Sequence, residues 1–311
     1  MAKINWTFIV FILLVGMVLG GCGTSSDRQL AEKLDLGVKY LSMMEYERAA
    51  DAYLDAVEIE PKCVEAYFGL AVVYYETGEV EKAGAVLQQA EIDVGEVFRY
   101  SLTPSDDGRG EMEIAGLLDM SLKAVVIPEK IDEYPVKKIS FSDCKNLTYV
   151  MIPDSVTEVG SGAFSDCESL AKVIIPDSVT SIGDNAFKGC KNLISVAIPD
   201  SVTEIGVAAF SGCESLVSVA IPDSVTEIGV AAFSDCKSLT SFTIPDGVTE
   251  MDNTFWNCES LTSVMIPESV AWIKPGVFNG CRSLKTIHTP QGSAAERWAQ
   301  ENGYEVVNIM P

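Results

Sequence analysis

The chain has 311 residues, room for about two ordinary domains, and it carries 45 Asp and Glu against 22 Lys and Arg, a net charge of −23. That balance excludes the basic footprint of a nucleic-acid binder and direct electrostatic attachment to an anionic bilayer. A hydrophobic content of 48% excludes a disordered acidic chain. With a single histidine, His288, a His-rich zinc site and paired-histidine catalysis are out within one chain.

The first element is an address. Lys3 precedes an apolar run from about Thr7 to Gly20, shorter than the ~20 residues a spanning helix needs but suited to a secretory leader. The run ends in Leu19-Gly20-Gly21-Cys22, followed by Gly23-Thr24-Ser25-Ser26-Asp27. This order of apolar run, small pair, cysteine and polar stretch resembles the lipobox of bacterial lipoproteins. The resemblance implies cleavage after residue 21, lipidation of Cys22, and residues 22–30 as a tether. Two or more acyl chains on that cysteine would hold the membrane stably. An ordinary leader with a chance cysteine is the alternative.

Residues 31–92 have a 34-residue period. Leu36, Gly37, Tyr40, Tyr46, Ala49, Tyr53, Ala56 and, 34 positions on, Leu70, Ala71, Tyr74, Val80, Ala83, Leu87, Ala90 fall at helical spacing. The pattern resembles the tetratricopeptide repeat, a helix-turn-helix of that length. Gly37 and Ala71 are small where helices approach, and Pro61 ends the first hairpin. Two copies are few for a stack that normally needs three, so a partner helix or the next domain should cover one face. The segment is acidic, with 13 Asp and Glu against 5 Lys and Arg. It reads either as a peptide-docking groove or as a spacer. Cys63, near the junction of the copies, reads as a half-buried free thiol.

Residues 93–120 carry a hairpin signature, Val97–Leu102 and Met112–Leu117 flanking Ser105-Asp-Asp-Gly-Arg-Gly110, placed to cap the repeats that begin at 121. From 121 to 290 the period is 23. Ile-Pro recurs at 152, 175, 198, 221, 244 and 266, and Phe at 141, 164, 187, 210, 233, 255 and 278. The step between Cys236 and Cys258 is one residue short. Each Leu-x-x-Val-x-Ile alternates as a strand, and coils stacked in parallel turn inward residues such as Leu193, Val196, Ile198, Val202, Ile205 and Phe210 into ladders. Gly160, Gly183, Gly206 and Gly229 read as tight bends, and the Asp-Ser after proline as Asx-type caps. Residues 291–311 read as a closing helix around Ala295, Trp298 and Ala299 and a strand at Tyr304–Ile309. The pattern Leu-x-x-Val-x-Ile-Pro, Val-Thr-x-Ile-Gly, Ala-Phe-x-x-Cys resembles the BspA-like leucine-rich-repeat family. The fold expected is therefore α+β and multidomain: a short helical-repeat domain followed by a leucine-rich-repeat solenoid with a parallel β ladder.

Cys144, Cys167, Cys190, Cys213, Cys236, Cys258 and Cys281 lie on one ladder. The position takes a small inward residue whose polar atom faces loop backbone. Without a C-x-x-C pair a zinc site is poorly supported, and in-register side chains orient badly for the ~90° disulfide torsion. Free buried thiols are expected, with no metal and no cofactor.

Function should sit on outward positions. Tyr149, Met151, Lys172, Ile174, Ser195, Ala197, Ser218, Ala220, Ser241, Thr243, Ser263, Met265, Thr286 and His288 should form a flat, mildly apolar, hydroxyl-rich strip. It reads as a binding face for a large partner, or simply as small residues that keep the sheet soluble. Asp154, Asp177, Asp200, Asp223, Asp246 and Glu268 make a second row. Like charges ~5 Å apart in water repel by about 0.8 kcal/mol, and one carboxylate per coil is too few for calcium, so capping of turns is the expected role. No glycine loop cradles phosphate, and of the many Asp and Ser none sits outside the repeat in a pattern that suggests a nucleophile. The family resemblance implies a non-enzymatic, lipid-anchored surface protein that binds a protein or glycan, as adhesins do. The alternative is an envelope scaffold docking through its helical hairpins.

Overall fold

The computed structural model describes residues 25–90, 92–105 and 109–309; the leader and Cys22 lie outside the described residues. Four helices come first: α1 (Ser25–Ser42), α2 (Tyr46–Ile59), α3 (Val64–Glu76) and α4 (Val80–Gln89). α1 starts inside the stretch expected as a tether: Ser25-Ser26-Asp27 places a carboxylate in its first turn, where the helix dipole favours it. The two hairpins close around Tyr53, which is fully buried. Its ring fills the space a side chain would occupy at Gly37 and at Gly69, so no Cβ fits at either position. Ala71, also fully buried, belongs to the same packing, but Gly69 is the residue that lets α3 approach Tyr53.

A short turn α5 (Val94–Val97), capped by Asp93 accepting from the Gly95 N–H, leads into an antiparallel hairpin, Phe98–Thr103 with Glu111–Leu117. The second of these strands pairs in parallel with Tyr134–Ile139. Beyond it the chain is a solenoid with two rows of parallel strands. The first row runs from Ala124–Val126 through Tyr149–Met151, Lys172–Ile174, Ser195–Ala197, Ser218–Ala220, Ser241–Thr243, Ser263–Met265 and Thr286–Pro290 to Glu305–Ile309. Partners are offset by one coil, as in Ser195↔Ser218 and Val196↔Val219. The second row consists of two-residue strands at Glu158–Val159, Ser181–Ile182, Glu204–Ile205, Glu227–Ile228, Glu250–Met251 and Trp272–Ile273. At two residues each, these are too short for alternation to reveal them in sequence.

The interior is a stack of identical side chains. Phe141, Phe164, Phe187, Phe210 and Phe233 lie ring over ring at 5.2–5.6 Å. Each such pair adds about 1 kcal/mol beyond the area it buries. The next step widens to 6.1 Å between Phe233 and Phe255, in the coil that lacks one residue. Phe242, standing where other coils have Val or Ile, fills the gap with its ring 4.9 Å and 4.7 Å from those two. The stack is closed at both ends by edge-on aromatics, Phe98 against Phe141 and, from helix α6 (Ala294–Glu301) and the strand after it, Trp298 and Tyr304 against Phe278.

Gly183, Gly206 and Gly229 have φ values outside the left-handed region, so backbone freedom is not what they supply, and Gly160, at the same repeat position, has open space around it. A Cβ on Gly206 would sit 2.6 Å from the Asp184 nitrogen, and one on Gly229 2.5 Å from the Gly206 carbonyl carbon. Glycine is therefore required by the close approach of successive coils. The left-handed turns fall elsewhere, at Asn185, Ala208, Ala231 and Asn253. For Ala208 (φ 53°) and Ala231 (φ 58°) that conformation costs about 1 kcal/mol each.

Candidate functional site: the strand face and its borders

The cysteine row is buried and supplies no surface chemistry. Each thiol from Cys167 to Cys281 donates to the carbonyl of the phenylalanine one coil back, Cys167 to Phe141 at 3.0 Å and Cys236 to Phe210 at 3.3 Å among them. Each of these carbonyls already accepts the N–H of the cysteine in its own coil; the thiol adds a second bond from the next coil and so leaves no buried donor of its own unpaired. All seven are free thiols. Burial pushes Cys190 up to about 12 and Cys213 and Cys236 well above the ordinary thiol value, so they stay protonated and unreactive. Cys63 is free and half-buried, and burial raises its pKa too.

The long-strand face is divided into two halves. In the first half it is covered by the helical hairpins. α3, apolar around most of its circumference, is buried between its neighbouring helices and the strand Ala124–Val126. Tyr149, expected to point into solvent, is only 2% exposed. Burial raises its hydroxyl pKa, with Glu76 and Tyr46 adding to the shift. The physical reason is the shortfall of the two-repeat stack: the apolar faces of α1 and α3 need a lid, and the first coils provide it. Lys172, also expected in an open strip, pairs with Glu76 at the end of α3, and Lys123 pairs with Asp35 of α1. Tyr46 donates to the same Glu76 at 3.2 Å. Met151 and Ile174 are half-buried beside them. A peptide-docking groove on α3 is thereby taken up by the molecule itself.

At this junction Glu65, in the first turn of α3, has a buried Oε1 with no hydrogen-bond partner. Burial pushes its carboxyl up to about 7; the Lys123 charge opposes the shift, and Asp119 and Asp35 add to it. Tyr53 has a buried hydroxyl in the same unpartnered condition. Repeat periodicity gives no sign of Glu65, Gly69 or Glu76.

In the second half the face is open. Ser195, Ala197, Ser218, Ala220, Ser241, Thr243 and Met265 are exposed, and Ser263, Thr286 and His288 half-exposed. Ile194 and Val217 stand beside the serines at 49% and 44% exposure; strand alternation places only every second residue outward and so omits them. The face therefore runs from an apolar edge through hydroxyls to small side chains.

Its two borders differ in charge. On one side the residue after each ladder cysteine alternates in sign: Lys145, Glu168, Lys191, Glu214, Lys237, Glu259, Arg282. Cross-coil ion pairs neutralise this row, Lys191–Glu168 at 3.1 Å and Lys237–Glu214 at 3.0 Å among them. On the other side lies the row Asp154, Asp177, Asp200, Asp223, Asp246 and Glu268, every member exposed. Capping of turns is the role expected of these carboxylates, but each turn is closed by its own backbone, a valine N–H donating to the proline carbonyl, as Val202 to Pro199 and Val248 to Pro245. Ser178, Ser201 and Ser224 donate to the carbonyls of Val156, Val179 and Val202 one coil back. The bonds of the turns are thus made without the acidic row. Where α3 ends, Tyr75, Asp154 and Asp177 line a cleft of about 510 Å³, and burial followed by those two carboxylates raises the Tyr75 pKa. Among the described residues no cluster of His, Cys, Asp and Glu could hold a metal ion, and no helix is long and apolar enough to cross a membrane.

Comparison with known proteins agrees with this architecture. Residues 34–95 match the tetratricopeptide repeat, and residues 118–236 and 204–296 match the BspA type leucine-rich repeat region in six copies. No curated protein matches the chain. A leucine-rich repeat protein of T. pallidum is 33% identical over 71% of this chain and 99% of its own, with a TM-score of 0.57. One from Bacteroides ovatus ATCC 8483 is 30% identical over 64% of this chain, with a TM-score of 0.56. The chain spans about half the length of the second, 54%. A helical repeat pair leading into a parallel-strand solenoid, matched over more than half its length, makes this chain a member of the BspA type leucine-rich repeat family.

Proposed function

We propose that the protein is a non-enzymatic, lipid-anchored component of the cell envelope, facing outward, that holds a protein partner on the open half of its strand face. The observation that carries this reading is the continuous exposed surface of Ile194, Ser195, Ala197, Val217, Ser218, Ala220, Ser241, Thr243 and Met265. It is formed by a solenoid that spends no part of it on internal packing. Repeat proteins bind with such extended surfaces, where many small contacts add up. Few aromatic or arginine anchors lie on it, which favours a broad, avid contact over one tight pocket. A glycan is the other occupant to test. Docking through the helical hairpins is less favoured, since the solenoid covers α3.

The surface is tested by Ala197→Arg with Ala220→Arg: binding to cells or matrix that capture the wild-type protein should be abolished, and unchanged capture would sink the reading. The address is tested separately. Cys22→Ala should leave an unprocessed precursor or release the protein from the membrane fraction. Protease added to intact cells should remove the solenoid; protection until lysis would place it inside the envelope.

A further inference from the structure

Resting on that reading, we infer that the partner presents a basic amphipathic helix, which lies across the open strands with its cationic side along the row Asp200, Asp223 and Asp246. Three observations support this inference. First, the face already accepts a helix: α3 packs on its first strand, Ala124–Val126, and Tyr149 and Lys172 of the next two coils reach the end of the hairpins, so the proposed occupant continues an existing interface. A helix about 10 Å across spans two coils, and four strands from Ser195–Ala197 to Ser263–Met265 lie open. Second, charge is matched where the face is covered. The acidic hairpins meet Lys123 and Lys172, which pair with Asp35 and Glu76. Third, the positive charge on the face ends where the face opens, and the acidic border continues beside it. The rows Ile194, Val217, Thr240, Thr262 and Ser195, Ser218, Ser241, Ser263 contain no Lys or Arg. One border is neutralised by its own cross-coil pairs, and the other is purely acidic and absent from the ion pairs among the described residues.

The covered half thus meets acidic helices with lysines, and the open half offers only carboxylates. The turns beneath the carboxylates are closed by their own backbone, Val202 donating to Pro199, Val225 to Pro222 and Val248 to Pro245, so the acidic row is free to face a ligand. The open face would repel a second copy of the protein's own hairpins, which are acidic.

The test uses the full protein and a designed probe: a fluorescent amphipathic helical peptide of about 18 residues with Leu on one face and Lys on the other, and its twin with Glu for Lys. Anisotropy should show the Lys peptide binding at least about tenfold more tightly than the Glu twin, and weakening as salt rises from about 50 to about 300 mM. Asp200→Asn/Asp223→Asn/Asp246→Asn should weaken the Lys peptide about tenfold. Glu47→Gln/Asp51→Asn/Glu58→Gln, which removes the same charge from the exposed side of α2, should change it less than about twofold. No binding to the wild-type protein, equal binding of the Glu twin, or equal losses in the two triple variants overturns the inference. If Ala197→Arg/Ala220→Arg abolishes binding while the aspartate variant does not, the charge assignment falls and the strand-face reading stands. If the aspartate variant loses binding and the arginine pair does not, the strand-face reading falls as well.

Discussion

The two halves of the strand face are made by one repeat, yet they do different work. Over the strands Tyr149–Met151 and Lys172–Ile174 the outward side chains are large or charged; Tyr149 is buried and Lys172 pairs with Glu76 of the hairpins. Over Ser195–Ala197 to Ser263–Met265 the same positions hold serine, alanine, threonine and methionine and meet solvent. The backbone register is the same on both sides. The difference therefore lies in side chains alone, and it teaches that a repeat position has no fixed role: what stands over it decides whether it is core or surface.

The strongest way to break the comparison is to exchange the roles. Tyr149→Ala should destabilise the protein by about 3 kcal/mol, the cost of truncating a buried aromatic, and make the helical hairpins more susceptible to protease. Ser218→Ala, one strand position in the open half, should stay within about 0.5 kcal/mol. Urea denaturation with limited proteolysis reads both; equal effects would mean that the helices do not rest on the face. Next in size, Gly69→Ala should cost about 2 kcal/mol by driving a methyl into the Tyr53 ring. Thr77→Ala, on the exposed end of the same hairpin, should cost less than half of that.

A smaller effect concerns pH at the covered half. The folded carboxyl of Glu65 titrates near 7, above its ordinary value. Its contribution is therefore complete at pH below about 4.5 and lost as pH rises through about 7. Glu65→Gln should stabilise the junction by about 1 kcal/mol at pH 8 and by little at pH 4; melting curves at the two values check the sign. The smallest effect is the sharpest on the open half. Replacing Asp200, Asp223 and Asp246 together by Asn should leave stability within about 0.5 kcal/mol or raise it slightly, since like charges are removed and no bond of the turns is lost. A fall above about 1 kcal/mol would make these carboxylates structural after all.

Much of the fold is legible in the sequence because repetition multiplies weak signals. The 23-residue period locates Phe, Cys and Ile-Pro in every coil, and stacking requires that residues at one repeat position share one environment. The 34-residue period does the same for the helical hairpins. Even the missing residue before Phe255 is visible; that Phe242 compensates for it becomes evident only with the rings 4.7 Å apart. The misassigned roles share one cause. Local chemistry makes glycine a bend and aspartate a cap, whereas the nearest neighbour of each turn is one coil away. The Gly206 backbone faces Asp184, and Ser201 bonds Val179.

By itself the sequence determined the family, the two repeat domains, the interior ladders and the net acidity, since each depends on residue type and period within the chain. The tertiary structure alone decided that the hairpins use the first coils as their lid, that Tyr149 and Lys172 leave the surface, and that the aspartate row stands outside the ion pairs of the described residues. Those outcomes depend on which surfaces meet. Contact between residues 76 and 172 has no periodic trace, because it joins two repeats of different length whose only common requirement is to bury what each leaves exposed.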